Sequence, residues 1–463
     1  MREKVALMLM TAVGICYSQV PIYRSIKPGT ADTLFITSGA SISNDTLYLD
    51  IPAPDTIGVG VVYQYLNNTN LAFVHKRVSA TVWLVKDSLG GTTYLNQVSN
   101  DGVSYFFHCY TSLAGFNSGV ENTIVAASLR NWPGGNRNIQ SANEDWFVPC
   151  YAGRDSVGAL INIANWNTSP THRIRIYAPM LSSEVGLSQR HKGKYDDYGY
   201  KLFRNSSSAG DLLQISNGSV QTTAHVDFDG ISFKTMGTGA KSALVFQDPE
   251  YNSVDNINIS NCIMVGSDSS STQTNHQAIR ESGGGLTPTI NVWNTIVYGF
   301  KSTASGDLGM TSTGGSGAIW KVSNCTLFDC ETGIVANGIT NFTVYNTIVN
   351  STSNGFSGSK CVGDYNVSSI AADAPGTHSV NCSVAFTNAT NGDFSLSILD
   401  TCARDNGTDL SAGTPPVAED ITGTARPQNV IYDVGAFEYV ETVDENGMSW
   451  PVRRRGEARR GER

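Results

Sequence analysis

Short stretches of alternating apolar and polar residues recur along this chain at the length of β-strands. Near the N-terminus, "DTLFITSGASISNDTLYLDIP" and "RVSATVWLVKD" alternate with a period of two. From Phe147 onward similar short stretches dominate, among them "WFVPCYAG", "HRIRIYAP" and "AHVDFDGISF". Long runs rich in Ala, Leu, Glu and Lys, which are typical of helical bundles, are missing. The pattern therefore predicts an all-β protein.

Four of the later stretches align with one another without gaps, which indicates an internal repeat. They are "INISNCIMV", "INVWNTIVY", "WKVSNCTLF" and "FTVYNTIVN", which begin at Ile257, Ile290, Trp320 and Phe342. Each has alternating apolar residues, then Asn followed by Cys or Thr, then a further apolar pair. The stretch "VDFDGISF" from Val226 fits the same template, with Asp229 expected in the place of the Asn.

The recurring Asn is the residue expected at a sharp bend between two strands of a coil. Asn tolerates the left-handed backbone conformation that such a bend often needs. If coils stack about 4.8 Å apart, equivalent Asn amides can hydrogen-bond along the stack while the flanking apolar residues point inward. We therefore predict a right-handed parallel β-helix with a structural ladder of Asn261, Asn294, Asn324 and Asn346.

The same pattern divides the chain into five parts. We predict a signal peptide, an N-terminal β-rich region, a helical cap or linker, the β-helix and a disordered basic tail, at residues 1–18, 19–110, 111–145, 146–440 and 441–463. The first part has a basic start and then roughly a dozen apolar residues, too few to span a bilayer. A short helix is expected near 122–129, where it would cover the open end of the solenoid core.

Cysteines bear on the fold because an exported chain meets an oxidising compartment. Cys262 and Cys325 share one template position but lie two coils apart, roughly 9–10 Å, which is beyond disulfide reach. Cys109 and Cys150 form one reasonable pair. Three further cysteines are each separated from the next by about the length of one coil, so one pair among them could form a second bridge: Cys361, Cys382 and Cys402.

Composition and charge restrict the classes of function. Only 15% of the 463 residues are charged, and the formal net charge is −9. Six Arg and two Glu fall within the last eleven residues, so the rest of the chain is more acidic still. An acidic body argues against a nucleic-acid partner, which requires a basic face. No segment after the leader has the apolar length of a transmembrane helix, so the predicted location is secreted or at the cell surface.

Two groups of residues carry side chains of the types found in catalytic and binding sites. Candidate catalytic residues lie in turns and insertions, although each also fits a solvated surface: Asp248, Glu250, His276, Arg280, Glu281 and Asp307. Paired carboxylates act as acid and base in glycoside hydrolases. Candidate binding residues combine positive charge with an aromatic ring: Arg190, His191, Lys192 and Tyr195. Zinc and EF-hand spacings are missing, so we predict no metal and no other cofactor.

The Asn-punctuated coils resemble the pectate-lyase-like β-helix superfamily. That resemblance implies a polysaccharide-binding face along one column of strands, and Ca²⁺ if the chain is a lyase. The C-terminal segment resembles the closing coil of secreted bacterial β-helix proteins of the choice-of-anchor type. The shared motif falls on Asp420, Gly423, Arg426, Pro427, Asp433, Gly435, Ala436, Phe437 and Glu438. In that family varied surface anchors follow the motif, whereas residues 442–463 show no apolar anchor.

Three hypotheses of function follow. The preferred one is a non-catalytic surface β-helix that binds a polysaccharide or cell-surface glycan, or serves as a rigid structural element. The alternatives are a polysaccharide lyase or glycoside hydrolase that acts on acidic polysaccharide, and a spike-like adhesin. Exposed carboxylates beside a basic residue on one strand face would favour an enzyme, and a flat face of Ser, Thr and Asn would favour the first hypothesis. The sequence does not indicate an oligomeric state.

Overall fold

The computed structural model describes most of the chain between residues 19 and 441. The described stretches are 19–29, 32–66, 68–92, 102–205, 210–216, 225–237, 242–247, 256–266, 275–283, 288–301, 306–313 and 317–441. The predicted signal peptide, nearly all of the basic tail, and the candidates Asp248 and Glu250 lie outside the described residues.

The strands are numbered in chain order. The first group is β1 (Val20–Tyr23), β2 (Phe35–Thr37), β3 (Ser41–Ser43), β4 (Thr46–Tyr48), β5 (Val62–Tyr65), β6 (Asn70–Arg77), β7 (Val82–Lys86) and β8 (Ser104–Phe107). The second group is β9 (Glu144–Pro149), β10 (Gly153–Ser156), β11 (Ile161–Ile163), β12 (Ile174–Tyr177), β13 (Tyr200–Asn205), β14 (Leu213–Ile215), β15 (Val226–Asp229), β16 (Ser232–Met236), β17 (Ser242–Phe246), β18 (Asn256–Ser260), β19 (Ile263–Val265) and β20 (Gln277–Glu281). The third group is β21 (Thr289–Trp293), β22 (Ile296–Tyr298), β23 (Leu308–Ser312), β24 (Ile319–Ser323), β25 (Thr326–Val335), β26 (Asn341–Tyr345), β27 (Ile348–Ser357), β28 (Cys361–Asp364), β29 (Val367–Ser368), β30 (Val380–Asn381), β31 (Phe386–Asn388) and β32 (Asp393–Leu396). Helix α1 is Leu113–Ser118, and two short 3₁₀ helices are Ala127–Leu129 and Ala389–Asn391.

Three columns of parallel strands build the β-helix. The first column is a nine-stranded sheet in the order β1-β9-β12-β15-β18-β21-β24-β26-β28. The second runs β10-β13-β16-β19-β22-β25, and the third runs β11-β14-β17-β20-β23-β25. The ten-residue strand β25 is long enough to pair with both β22 and β23, which joins the second and third columns. The predicted all-β parallel solenoid is confirmed.

Equivalent template positions stack on one another along the first column. Ile257, Ile290, Trp320 and Phe342 are successive partners in the register, and all are fully buried. The rings of Trp320 and Phe342 stack with centroids 4.7 Å apart. Because like side chains meet like at each step, the interior is one continuous apolar cluster. This stacking is the physical reason that the repeat is visible in the sequence.

A seven-stranded antiparallel sheet precedes the coils in sequence. Its order is β2-β8-β5-β6-β7-β4-β3. Strand β1 falls within the region 19–110 that we predicted to be separate, yet it pairs in parallel with β9 and belongs to the first column. The parallel partner lies far away in sequence, so the local pattern of β1 carries no sign of it.

Helix α1 spans Leu113–Ser118, within the predicted cap 111–145 but before the expected position near 122–129, where only the 3₁₀ helix Ala127–Leu129 forms. Ser112 accepts a hydrogen bond at the N-cap, and Gly119, with φ 70°, ends the helix in the left-handed conformation. The Asn122 amide donates to the His108 carbonyl at 3.0 Å, and its Oδ1 accepts the Ile124 N–H at 3.2 Å. β-Branched residues follow Asn122 directly, and they disfavour a helix.

The helix nevertheless covers the first coil. Phe116 is fully buried, and its ring stacks on Trp166 with centroids 5.7 Å apart. Trp146 from β9 meets the same two rings. These aromatic contacts close the end of the apolar interior that would otherwise face water. None of the helices in the described stretches combines the length and apolarity needed to cross a bilayer.

Cys382 and Cys402 form a disulfide, with their Cα atoms 6.2 Å apart. It is one of the combinations that the spacing allowed. Cys109 and Cys150, the other pair considered, are both buried free thiols. The Cys109 thiol donates instead to the Gly60 carbonyl at 3.0 Å. Cys262 and Cys325 are also free and buried.

Residues 382–441 lie on the outside of the coils. After the β31–β32 hairpin, the chain crosses outward-facing side chains of the second column. The cluster between them contains Ile263, Val265, Ile296, Phe394, Ile421, Ala436 and Phe437. The expectation that the C-terminal motif forms a closing coil is therefore wrong. The motif lacks the alternating apolar residues that a coil strand needs, and its Asp, Gly and Arg residues make turns and an ion pair instead.

Candidate functional site

The outward-facing side chains of the first column form two polar rows. Side chains alternate along a strand, so the residues between the inward apolar positions point to solvent. One row contains Phe147, Arg175, Asp227, Asn258 and Asn291. The neighbouring row contains Tyr177, Asp229, Ser260 and Trp293.

A cleft of about 330 Å³ opens over these rows, between β9 and β21. Glu184, from the loop between β12 and β13, completes its lining. The Glu184 carboxylate accepts the backbone N–H groups of Met180 and Leu181, both at 3.1 Å. Burial, with the Glu184 charge nearby, raises the pKa of the Tyr177 phenol well above its usual value. This tyrosine therefore stays neutral.

The Asp227 carboxylate is held by two arginines. Arg173 Nε lies 3.0 and 2.9 Å from its two oxygens, and Arg175 Nε lies 3.3 Å away. Arg175 also pairs with Asp145. Asn258 donates its amide to Asp227 at 2.8 Å. Two guanidinium groups and one amide therefore fix the Asp227 carboxylate in position.

Beyond Asp227 the same row continues as an amide ladder on the outer surface. Asn291 Nδ2 donates to Asn258 Oδ1 at 2.8 Å, as Asn258 does to the carboxylate. Each amide is thereby fixed in orientation. The cleft floor thus presents fixed carbonyl and amide groups rather than rotating ones.

Asp229 is the second carboxylate of the cleft. It accepts hydrogen bonds from Ser260 Oγ at 2.9 Å and from Asn261 Nδ2 at 2.6 Å, and it pairs with Arg190. Asp229 is in register with Ser260, and Gly230, with φ 72°, occupies the place of the ladder Asn. Our assignment of Asp229 to that place is therefore wrong.

Glycine at this bend has two effects. It adopts the left-handed conformation without cost, which leaves Asp229 as the last outward residue of β15. A Cβ at Gly230 would lie 2.6 Å from Arg190 Nε, so only glycine leaves room for that side chain. The bend therefore admits the arginine that pairs with Asp229.

The four predicted ladder residues stand at one corner of successive coils. Asn261, Asn294, Asn324 and Asn346 have φ of 51°, 49°, 49° and 49°. Asn294 donates to Asn261 at 3.2 Å, and Asn346 donates to Asn324 at 3.5 Å. The ladder also receives the C-terminal segment, because Asn294 donates to Glu419 O at 2.7 Å and Asn324 to Asp433 O at 3.4 Å.

The four predicted binding residues are dispersed. Arg190 lies beside the cleft through its pair with Asp229, and Lys192 is exposed. His191 is buried, and burial followed by the charge of Arg190 lowers its pKa to about 3. Tyr195 packs into the cluster under the C-terminal segment. His191 is therefore not presented to a ligand, because the loop folds back onto the coils, whereas Tyr195 also lines a separate surface pocket with Arg154 and Lys201.

The described catalytic candidates lie along the third column. His276 and Asp307 are fully buried, and the His276 backbone N–H donates to the Asp307 carboxylate at 2.7 Å. Arg280 pairs with Asp211 at 3.0 Å, while Glu281, fully buried, accepts the Gly283 N–H at 2.7 Å. Adjacent residues of β20 point to opposite faces, so Arg280 and Glu281 do not meet. Of the described catalytic candidates, only His276 and Asp307 contact each other, and both are buried in the solenoid.

The cleft residues were missed although part of the signal was present. Alignment of Val226 with Ile257 and Ile290 places Asp227 level with Asn258 and Asn291, but the assignment of Asp229 to the Asn position shifted that stretch by one residue. Glu184 and Arg173 had no such signal, because they come from outside the template, whereas Arg190 was among the predicted binding residues. Across the described ranges, no cluster of three or more His, Cys, Asp or Glu is placed to hold a metal ion.

Comparison with models of known protein families, with curated proteins and with solved structures found no match to this chain. The anchored carboxylates and oriented amides of the cleft can accept and donate hydrogen bonds, and the half-buried Trp293 supplies an aromatic surface.

Proposed function

We propose that this protein is a secreted or surface-exposed β-helix that binds a glycan, without turning it over, in the cleft on the first column. The supporting observation is the position of Trp293 at the end of a row that begins with Tyr177 and includes Asp229 and Ser260. An indole ring stacks on the apolar face of a sugar ring, and nearby fixed polar groups take its hydroxyl groups.

The charge pairing supports binding over catalysis. The cleft does place carboxylates beside basic residues on one strand face, an arrangement that would favour an enzyme if the groups were available. A general acid must reach the leaving group with a free carboxyl oxygen, but Asp227 and Asp229 each accept several hydrogen bonds from protein donors, so their oxygens are already engaged. Arg175 is shared between Asp145 and Asp227, so it is poorly placed to abstract a proton.

Glycoside hydrolysis is the second candidate, and one observation favours it. Asp227 and Asp229 are two residues apart on β15 and face the same side, as paired acid and base residues do in hydrolases. New reducing ends that appear with the wild type and vanish with Asp229→Asn would replace the binding proposal by this one.

The extracellular location is part of the proposal. It is supported by the predicted leader and by the Cys382–Cys402 disulfide, since such bonds persist in oxidising compartments. The relation to choice-of-anchor proteins is likewise proposed on the motif alone. Fractionation of cells that express the full chain would test the location, and recovery of the protein only from the cytosol with reduced cysteines would contradict it.

The binding proposal is tested with a glycan array and isothermal titration of the full chain. Trp293→Ala should weaken binding of any glycan that the wild type retains by about tenfold or more, as expected for an aromatic anchor. Tyr48→Ala is the matched control, because Tyr48 is an exposed aromatic residue of the antiparallel sheet. Absence of any bound glycan, or equal binding by Trp293→Ala and wild type, would overturn the proposal.

A further inference from the structure

We infer that the ligand of the cleft is an uncharged oligosaccharide, several sugar rings long, that lies along the solenoid axis. This inference rests on the proposed function and specifies its ligand class. It differs from the acidic polysaccharide that the superfamily resemblance implies. It is supported by the ion pairs that occupy the arginines of the cleft and by the distance between the strands that bear its aromatic residues.

Every arginine at the cleft is already neutralised by a carboxylate. Arg173 pairs with Asp227 and keeps only 8% of its side chain exposed, and Arg190 pairs with Asp229 and keeps 10%. Arg175 is more exposed, but it contacts both Asp145 and Asp227. An acidic sugar would have to displace one of these carboxylates to reach a guanidinium.

The carboxylates are the groups that remain open to a ligand. The Asp229 side chain is 31% exposed, three times as much as that of its partner Arg190. Glu184 and Asp227 also line the cleft, so three carboxylates and only one guanidinium, that of Arg175, form its surface. A uronate carboxyl group placed here would meet like charges at short range, which is unfavourable. Sugar hydroxyl groups would instead donate hydrogen bonds to the same oxygens.

A cationic ligand finds few unoccupied acceptor positions on these carboxylates. Asp227 and Asp229 hold guanidinium groups and side-chain donors on most of their acceptor positions. The Glu184 carboxylate is partly used by the loop backbone. The remaining acceptor capacity suits neutral hydroxyl donors, which do not require a full ion pair.

The spacing of the strands sets the length of the ligand. Tyr177 on β12 and Trp293 on β21 are separated by three strand spacings, or about 14 Å. Phe147 on β9 is one spacing further away. A single sugar ring cannot span this distance, whereas a short chain laid across the strands can contact both ends. The predicted binding strength therefore rises with chain length until the rows are covered.

The test compares matched charged and uncharged chains on the full-length protein. Suitable probes are homogalacturonan with and without methyl esters, mannan against mannuronan, and chitin against chitosan oligosaccharides, each as a series from one to six rings. We expect at least one uncharged member to bind about tenfold or more tightly than its charged counterpart. We also expect its affinity to change little between about 50 and 500 mM salt, because no net charge is neutralised.

Two outcomes would overturn this inference while leaving the proposed function intact. One is tighter binding of acidic or cationic members, with loss on Trp293→Ala. The other is affinity that does not change between one and six rings. If none of the probes or array glycans binds, the proposed function itself fails. Asp229→Asn adds a direct check, since removing this charge should raise the affinity of an acidic chain relative to its uncharged counterpart.

Discussion

The guanidinium of Arg426 lies 2.9 Å from the carboxylate of Glu438, and both side chains are shielded from solvent, at 0% and 1% exposure. The same guanidinium donates to the Gly435 carbonyl at 2.8 Å and to the Asp433 carbonyl at 3.2 Å. Glu438 in turn accepts the Gln428 N–H at 3.0 Å. The buried pair therefore holds the two halves of the C-terminal motif in one compact loop.

This loop is fastened to the Asn corner of the coils. Gly435 N–H donates to the Asn346 carbonyl at 2.7 Å, and Ala436 N–H donates to Thr326 Oγ1 at 3.0 Å. A Cβ at Gly435 would lie 2.5 Å from Ile348, so glycine is needed for this approach. The motif is thus a docking element between the C-terminal segment and the solenoid.

Removing one partner of the buried pair should detach this element. Glu438→Gln leaves the Arg426 charge buried without its counter-ion, and we expect a loss of about 3–5 kcal/mol in the free energy of unfolding of the segment. Urea titration with limited proteolysis of residues 382–441 measures it. Lys301→Gln, which breaks the half-exposed pair with Asp329, is the control and should cost about 1 kcal/mol or less. Equal losses in the two variants would contradict the role of the pair.

Asp433 should make docking of the segment sensitive to pH. Burial, followed by the charge of Glu438, raises the pKa of Asp433 to about 7, above its usual 3.8. Its folded pKa is raised, so the stability it contributes is fully present below about pH 4 and is lost as pH rises through about 7. The unfolding temperature of wild type relative to that of Asp433→Asn should therefore fall as pH rises between these values, as measured by thermal unfolding. A parallel pair of curves would show that Asp433 does not titrate in this range.

Two adjacent residues of β22 should give opposite phenotypes when replaced by aspartate. Ile296 faces outward into the cluster under the C-terminal segment, whereas Val297 faces the solenoid interior. Ile296→Asp should release residues 382–441 but leave the coils folded, because the carboxylate becomes hydrated once the segment leaves. Val297→Asp should abolish folding, since burial of an unpaired charge costs several kcal/mol. Circular dichroism with proteolysis distinguishes them, and identical behaviour would refute this division of faces.

Asn346 should contribute through both its backbone and its amide. Its φ is 49°, and its side chain exchanges hydrogen bonds with Thr408 at 2.7 and 2.9 Å. Asn346→Gly keeps the backbone conformation and loses the amide bonds, at about 1–3 kcal/mol. Asn346→Ala should cost a further 1–2 kcal/mol, approximately, for the left-handed conformation. Exposed Asn44, with φ 48°, is the control, and Asn44→Gly should be nearly neutral in chemical denaturation. An Asn346→Gly variant as stable as wild type would count against the amide contribution.

Local chemistry decided which elements could be predicted. The template strands were found because each inward position is repeated in sequence wherever it is repeated in space. Helix α1 was misplaced because Ser112 and Gly119, which cap it, were outweighed by an apolar stretch that forms only the short 3₁₀ helix Ala127–Leu129. The prediction put Asp229 at the corner position that Gly230 occupies, an error of one residue. In a strand, such a shift moves a side chain to the other face.

By itself, the sequence determined that this chain is a parallel solenoid. Equivalent residues stack on one another in successive coils, so the same residue types recur at regular positions along the chain. The sequence also determined where the chain bends between strands, since Asn and Gly are the residues that adopt the left-handed conformation. Only the tertiary structure decided where the cleft lies and how the chain ends. Arg190, Glu184 and the docking motif reach their partners from outside the repeat, and the pairing of such groups depends on distances through space that no spacing along the chain records.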